Sequence, residues 1–146
     1  MTATYTARRR VFVDTSAFYA IRDTADAHHS SAVNAFARLR REQMPLVTTD
    51  HIVAESATLI RPRLGFEVVR RFLLTIQESR VAGLLDLHYP AWEDFQAAIT
   101  EFLGWGAPRF SFVDALSFVV CRRLGITQVV AYDDDFRVAG FEIVDS

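Results

Sequence analysis

Acidic side chains stand at the ends of apolar runs in four places along this chain. They are Asp14 in VFVDTSAF (11–18), Glu55 in TTDHIVAE (48–55), Asp114 in SFVDAL (111–116) and the triplet Asp133, Asp134 and Asp135 in VVAYDDDF (129–136). A carboxylate that ends a buried run is costly to bury unpaired, so something must compensate Asp14. Were the four to converge, they could not all stay ionised without a cation, because like charges push each other's pKa upward. A hard divalent ion resolves this: Mg²⁺, with Mn²⁺ able to substitute, takes oxygen ligands and needs no cysteine or histidine. The chemistry open to such a site is in-line phosphoryl displacement.

Each acid also has a structural role open to it. Asp14 can cap a helix beginning near Ser16. Glu55 can be a solvated first-turn residue, although Val53, Ala54, Ala57, Leu59 and Ile60 leave little polar face for it. Ser111 with Asp114 fits a capping box, yet ALSFVVC beyond it is apolar nearly all round, so its helix is expected to be buried with its amino end opening into a cleft. Repulsion within the aspartate triplet makes it a poor plain turn, while one or two of the three can be solvated.

The elements that would bring these residues together follow from periodicity. VFV (11–13), LV (46–47), GLLDL (83–87), VVAY (129–132) and FEIV (141–144) read as strands, several apolar enough to be buried on both faces of a parallel sheet. Between them 30–42, 51–60, 65–79, 91–103 and 112–124 carry apolar residues at helical spacing; Pro62 and Pro108 mark breaks and Pro90 suits a first helical turn. Such alternation predicts a three-layer α/β domain, with ligands at the carboxyl edge of the sheet.

With 146 residues, 51% of them hydrophobic, the chain suits one domain spanning 1–146, in which 1–9 read as a flexible arm. No secretory leader or membrane-length apolar run is evident, so a cytoplasmic protein without membrane contact is expected. The lone Cys121 sits in an apolar helical pattern, which points to core packing and excludes disulfides and thiolate metal sites. A net charge of -2 argues against coating nucleic acid by bulk positive potential. All 16 basic residues are arginine, which removes Schiff-base and lysine-clamp chemistry. His28, His29, His51 and His88 form no pairing with a nucleophile at motif level.

The order VDTSAF, an inward Glu after the second strand, SFVDAL, then VVAYDDDF resembles a PIN domain, in particular the toxin ribonucleases of the VapC type, from about Val11 to Val144. That resemblance implies a parallel five-stranded sheet flanked by helices and metal-dependent endonucleolytic cleavage of RNA. Asp14, Glu55 and Asp114 match the family's three principal acidic ligands, Asp133 the fourth, Ser16 the hydroxyl residue that orients the first Asp, and Asp135 the acid before the last motif's Phe. The extra Asp134 leaves open which acid of the triplet is the fourth ligand. Arg109 and Arg8 to Arg10 are candidate RNA phosphate contacts, solvation being the competing role.

The resemblance also implies a small antitoxin that blocks the site. Twelve phenylalanines and two tryptophans, with Phe66, Phe72, Phe95, Phe102 and Trp105 in the middle helices, suggest a homodimer that covers aromatic surface. Two rival folds are disfavoured: a receiver domain needs a lysine, and a haloacid-type phosphatase needs Asp-x-Asp where Thr15 and Ser16 stand. An RNA-processing PIN nuclease without an antitoxin, or an inactive PIN binding module, are the remaining alternatives.

Overall fold

The computed structural model describes residues 8–106 and 110–144. Strands β1 (Val11–Val13), β2 (Leu46–Thr49), β3 (Leu85–His88), β4 (Gln128–Val130) and β5 (Glu142–Ile143) form one sheet in the order β3-β2-β1-β4-β5. Every pairing is parallel, as the buried apolar runs predicted. The helices are α1 (Thr15–Arg22), α2 (His29–Arg41), α3 (Asp50–Leu64), α4 (Phe66–Val81), α5 (Trp92–Gly104), α6 (Phe112–Arg123) and α7 (Asp135–Val138).

Central β1 has no accessible side chain: Val11, Phe12 and Val13 are covered on both faces and paired with β2 on one side and β4 on the other. Right-handed crossovers in this strand order put α1 to α4 on one face and α5 to α7 on the other. The helix contacts divide the same way, α1 with α2 and α3, α3 with α4, α5 with α6, and α6 with α7. The chain reverses its direction across the sheet between β1 and β4, so their carboxyl ends flank the crevice where open α/β sheets bind ligands.

Aromatic packing fixes the layers that carry the acids. Phe118 of α6 meets Phe136 of α7 edge to face with ring centroids 5.0 Å apart, and Phe136 packs on Phe12 of β1 at 6.0 Å. The helix bearing Asp114 and the loop bearing Asp133 are thereby keyed to the strand that ends at Asp14. Cys121 is buried, and burial pushes its thiol well above the ordinary range, as expected for a packing residue.

Two proline expectations are corrected. Pro62 does not break a helix: α3 continues to Leu64. It lies in the last turn, where a missing backbone donor removes one bond, and buried Ile60 together with Arg63 over the Tyr19 ring holds that turn in place. The break falls instead at Gly65, whose φ of +92° separates α3 from α4. Pro90 lies outside α5, one residue before its N-cap Ala91. Pro108 and Arg109 lie outside the described residues, as do 1–7 of the expected arm. The short helix α7 went unread because its four residues, Asp135–Val138, are too few to show a helical repeat.

Candidate active site

Asp14 is the first residue beyond β1 and is 2% exposed. Its backbone N–H donates to Val130 O at 3.1 Å, tying the ends of β1 and β4 together. Its Oδ2 caps α1, accepting from Ser16 N at 3.2 Å and from Ser16 Oγ at 2.8 Å. The same Ser16 hydroxyl accepts from Tyr132 N at 3.0 Å. One serine therefore fixes both the Asp14 carboxyl and the loop leading to Asp133. The capping role weighed for Asp14 is real, but capping uses one oxygen and leaves the burial cost in place. Burial first, then the fields of Asp133 and Asp114, push its carboxyl up to about 7, against the partial relief given by Ser16.

Glu55 is half-buried on α3, whose N-cap Thr49 accepts from Ile52 N at 3.1 Å. Thr15 Oγ1 donates to Glu55 Oε2 at 2.7 Å. This bond joins the residue after Asp14 to the second acid, and sequence reading missed Thr15. The only signal for it was a hydroxyl residue between Asp14 and Ser16.

Asp114 enters from the amino end of α6 in the expected capping box: Ser111 N donates to its Oδ2 at 3.0 Å while Asp114 N donates to Ser111 Oγ at 3.1 Å. Burial still raises its pKa and Glu55 adds to the rise, against the relief that Ser111 gives the carboxyl through its backbone N–H and its side chain. The helix behind it is buried through Ala115 to Phe118, Val120 and Cys121, as its apolar sequence predicted.

Asp133 follows β4 and, although its residue is exposed, has its carboxyl pushed up to about 6. Partial desolvation is the largest cause, followed by Asp135 and Asp114; surrounding water screens part of this. Asp135 N donates to Asp133 Oδ1 at 3.2 Å. Asp134 is exposed and faces Arg137 at 3.7 Å. The field of Asp133 is, after burial, the largest cause of the rise at Asp14.

The four acids thus form one electrostatically linked set at the carboxyl edge of the sheet. They do not close into a preformed cage: among the described residues, no three His, Cys, Asp or Glu side chains gather tightly enough to hold a metal ion. The set is nonetheless all hard oxygen and carries like charges that destabilise one another, which is the donor chemistry a divalent cation fits. Histidines take other roles: His51 Nδ1 meets Asp50 Oδ1 at 2.7 Å and His29 Nδ1 meets Ala20 O at 2.8 Å.

The PIN domain family model matches residues 11–142. The 23S rRNA-specific endonuclease VapC20 of Mycobacterium tuberculosis is 34% identical over 137 residues, covering 90% of this chain and 95% of that protein, in both strains compared. The crystal structure of M. tuberculosis VapC20, described as a sarcin-ricin loop cleaving toxin, superposes with a TM-score of 0.81 and 30% identity over 93% of this chain and 99% of that one. PAE2754 from Pyrobaculum aerophilum shares the fold, with a TM-score of 0.63 at 17% identity over 94% of this chain and 90% of that one. A match across nearly the whole length leads to one assignment: the chain belongs to the PIN-domain family and is homologous to the VapC20 toxin.

Proposed function

We propose that this chain is a divalent-metal-dependent endoribonuclease and the toxin of a toxin–antitoxin pair, acting inside the cell. The observation that carries this reading is Asp14, buried at the crossover point of the sheet with its carboxyl raised to about 7 by burial and by two neighbouring acids. A protein keeps such a costly cluster where its charge is used. Asp14, Glu55, Asp114 and Asp133 would hold the Mg²⁺, with Mn²⁺ able to substitute. When bound, the cation would supply Lewis-acid stabilisation of charge building on the phosphate oxygens. The chain's own hydroxyls do the positioning: Ser16 orients Asp14 and Thr15 orients Glu55.

The proposed substrate is 23S rRNA at the sarcin-ricin loop, on the strength of 34% identity across nearly all of VapC20. The proposed partner is a small antitoxin with an amphipathic helix and an Arg or Lys that enters the acidic cleft. A homodimer is also proposed. Phe66 and Trp105 are exposed and Phe95 and Phe102 half-buried, whereas Phe72 belongs to the core. The exposed stripe on α5, Trp92, Ile99 and Leu103, gives a second copy an apolar face.

The reading is tested by expressing the chain alone and with its neighbouring small reading frame, then mapping new rRNA ends and comparing growth. Growth arrest with a cut in 23S rRNA, relieved by the co-expressed small protein, is expected. Cleavage without arrest or rescue would favour an RNA-processing nuclease, and no cleavage an inactive binding module.

A further inference from the structure

Beside Asp133, between the start of α2, the loop after β4 and the end of β5, lies a cleft of about 260 Å³ lined by His28, Ser31, Tyr132, Asp133, Asp134 and Arg137. It is small for a drug-sized ligand and of the size that suits one planar ring system. His28 and Tyr132 stack in it, with ring centroids 4.9 Å apart and planes 12° from parallel. His28 is exposed and Tyr132 half-buried, so the pair forms a flat aromatic step with one member open to solvent. Among the described residues the Tyr132 hydroxyl is enclosed without a hydrogen-bond partner, which leaves the ring face as that residue's means of contact.

This step is registered to the acids. Tyr132 N donates to the Ser16 hydroxyl, and the same hydroxyl donates to Asp14. Tyr132 is also the chain neighbour of Asp133, about 3.8 Å away between Cα atoms. An occupant of the cleft therefore sits one step from the reacting centre. Two carboxylates in the lining oppose a phosphate there. A neutral nucleobase meets no such repulsion, and it stacks on His and Tyr rings in the way unpaired RNA bases do.

We propose that this cleft holds the unstacked nucleobase of the nucleotide next to the scissile phosphate, laid against His28 over Tyr132. Ser31 and Arg137 offer donors, and Asp134 an acceptor, to the base edge. The inference rests on the nuclease reading above and adds the residues that choose the cut position.

The test uses the full chain and a single-stranded RNA oligonucleotide carrying a fluorescent purine analogue at the cut position, with cleavage and fluorescence read separately. His28 is exposed, so His28→Ala leaves the core untouched. It is expected to lose the stacking quench and to lower kcat/KM by about 5- to 100-fold, the worth of one stacked base. The Mn²⁺ midpoint for residual cleavage should not move. His28→Trp restores both signals in part, which a purely structural histidine would not require. Tyr132→Leu is expected to behave like His28→Ala. A His28→Ala protein that quenches and cleaves like the wild type overturns the proposal while leaving the nuclease standing. So does one that loses only antitoxin binding, which would make the cleft a protein contact. Quenching by a wild-type protein that cuts no RNA keeps the base site and overturns the nuclease reading.

Discussion

Thr15 Oγ1 donates to Glu55 Oε2 at 2.7 Å across 40 residues of chain, joining the helix that Asp14 caps to the helix that carries the second acid. Replacing this hydroxyl by a methyl of the same shape isolates its positioning role. Thr15→Val is expected to cost about 1 kcal/mol of stability and to lower cleavage about tenfold, with a weaker Mn²⁺ midpoint. Paired melting and metal-titration curves check it; an unshifted midpoint would show that Glu55 is held by other means.

Ser16→Ala removes a donor from Asp14 and an acceptor from Tyr132 N. The orphaned N–H is expected to cost about 1–3 kcal/mol. Because the bond from the Ser16 hydroxyl lowers the Asp14 pKa, its loss should move the acidic limb of the cleavage profile to higher pH, while the backbone N–H bond of residue 16 stays. A pH–rate profile that keeps its wild-type position would remove Ser16 from the positioning of Asp14.

The Asp14 carboxyl rises on folding from its ordinary 3.8 to about 7, so between those values the folded chain holds more protons than the unfolded one. The contribution of Asp14 to metal-free stability is therefore fully present below about pH 4, is lost as pH climbs through about 7, and does not change further above it. Asp133 acts in the same direction up to about pH 6. Asp14→Asn should flatten this profile and melt higher than the wild type at pH 8 without metal. Equal melting temperatures there would mean that the repulsion at Asp14 is relieved by something other than a cation.

Among the remaining acids, Glu55→Gln and Asp114→Asn should each abolish cleavage while the chain stays folded by circular dichroism. Within the triplet, Asp133→Asn should hurt most, Asp135→Asn less and Asp134→Asn least. Asp133 is coupled to Asp14, whereas Asp134 is exposed beside Arg137. A dead Asp134→Asn beside an active Asp133→Asn would move the fourth position by one residue.

For self-association, sedimentation at micromolar concentration should give a dimer, and Leu103→Glu, on the 70% exposed tip of the α5 stripe, a monomer. Wild-type protein sedimenting as a monomer at every concentration rules the dimer out.

The parallel sheet was legible because VFV and VVA are apolar at every position, a pattern that only strands buried on both faces require. Asp14 and the aspartate triplet stood out because they follow such runs, whereas Glu55 and Asp114 lie on helices and stood out only by the order of the motifs. Contacts between distant elements were not: nothing in DTS tells which hydroxyl reaches Asp14 and which reaches Glu55. Asp94 shows the same limit. No motif singles it out in the sequence, yet it is 1% exposed, accepts from Ala91 N at 2.8 Å and faces Arg123 Nε at 2.9 Å. Pro62 failed in the opposite sense, since tertiary packing of the last turn of α3 overrode a local breaking signal.

Whether four carboxylates at this sheet edge cut RNA with a divalent cation is decided by comparing wild type and Asp14→Asn on one defined sarcin-ricin-loop RNA. Each is treated with EDTA and then resupplied with Mn²⁺. The wild type is expected to regain cleavage at one position on Mn²⁺ addition while Asp14→Asn, folded and at least as stable without metal, does not. Cleavage by the wild type in EDTA, or equal cleavage by Asp14→Asn with Mn²⁺, would contradict it.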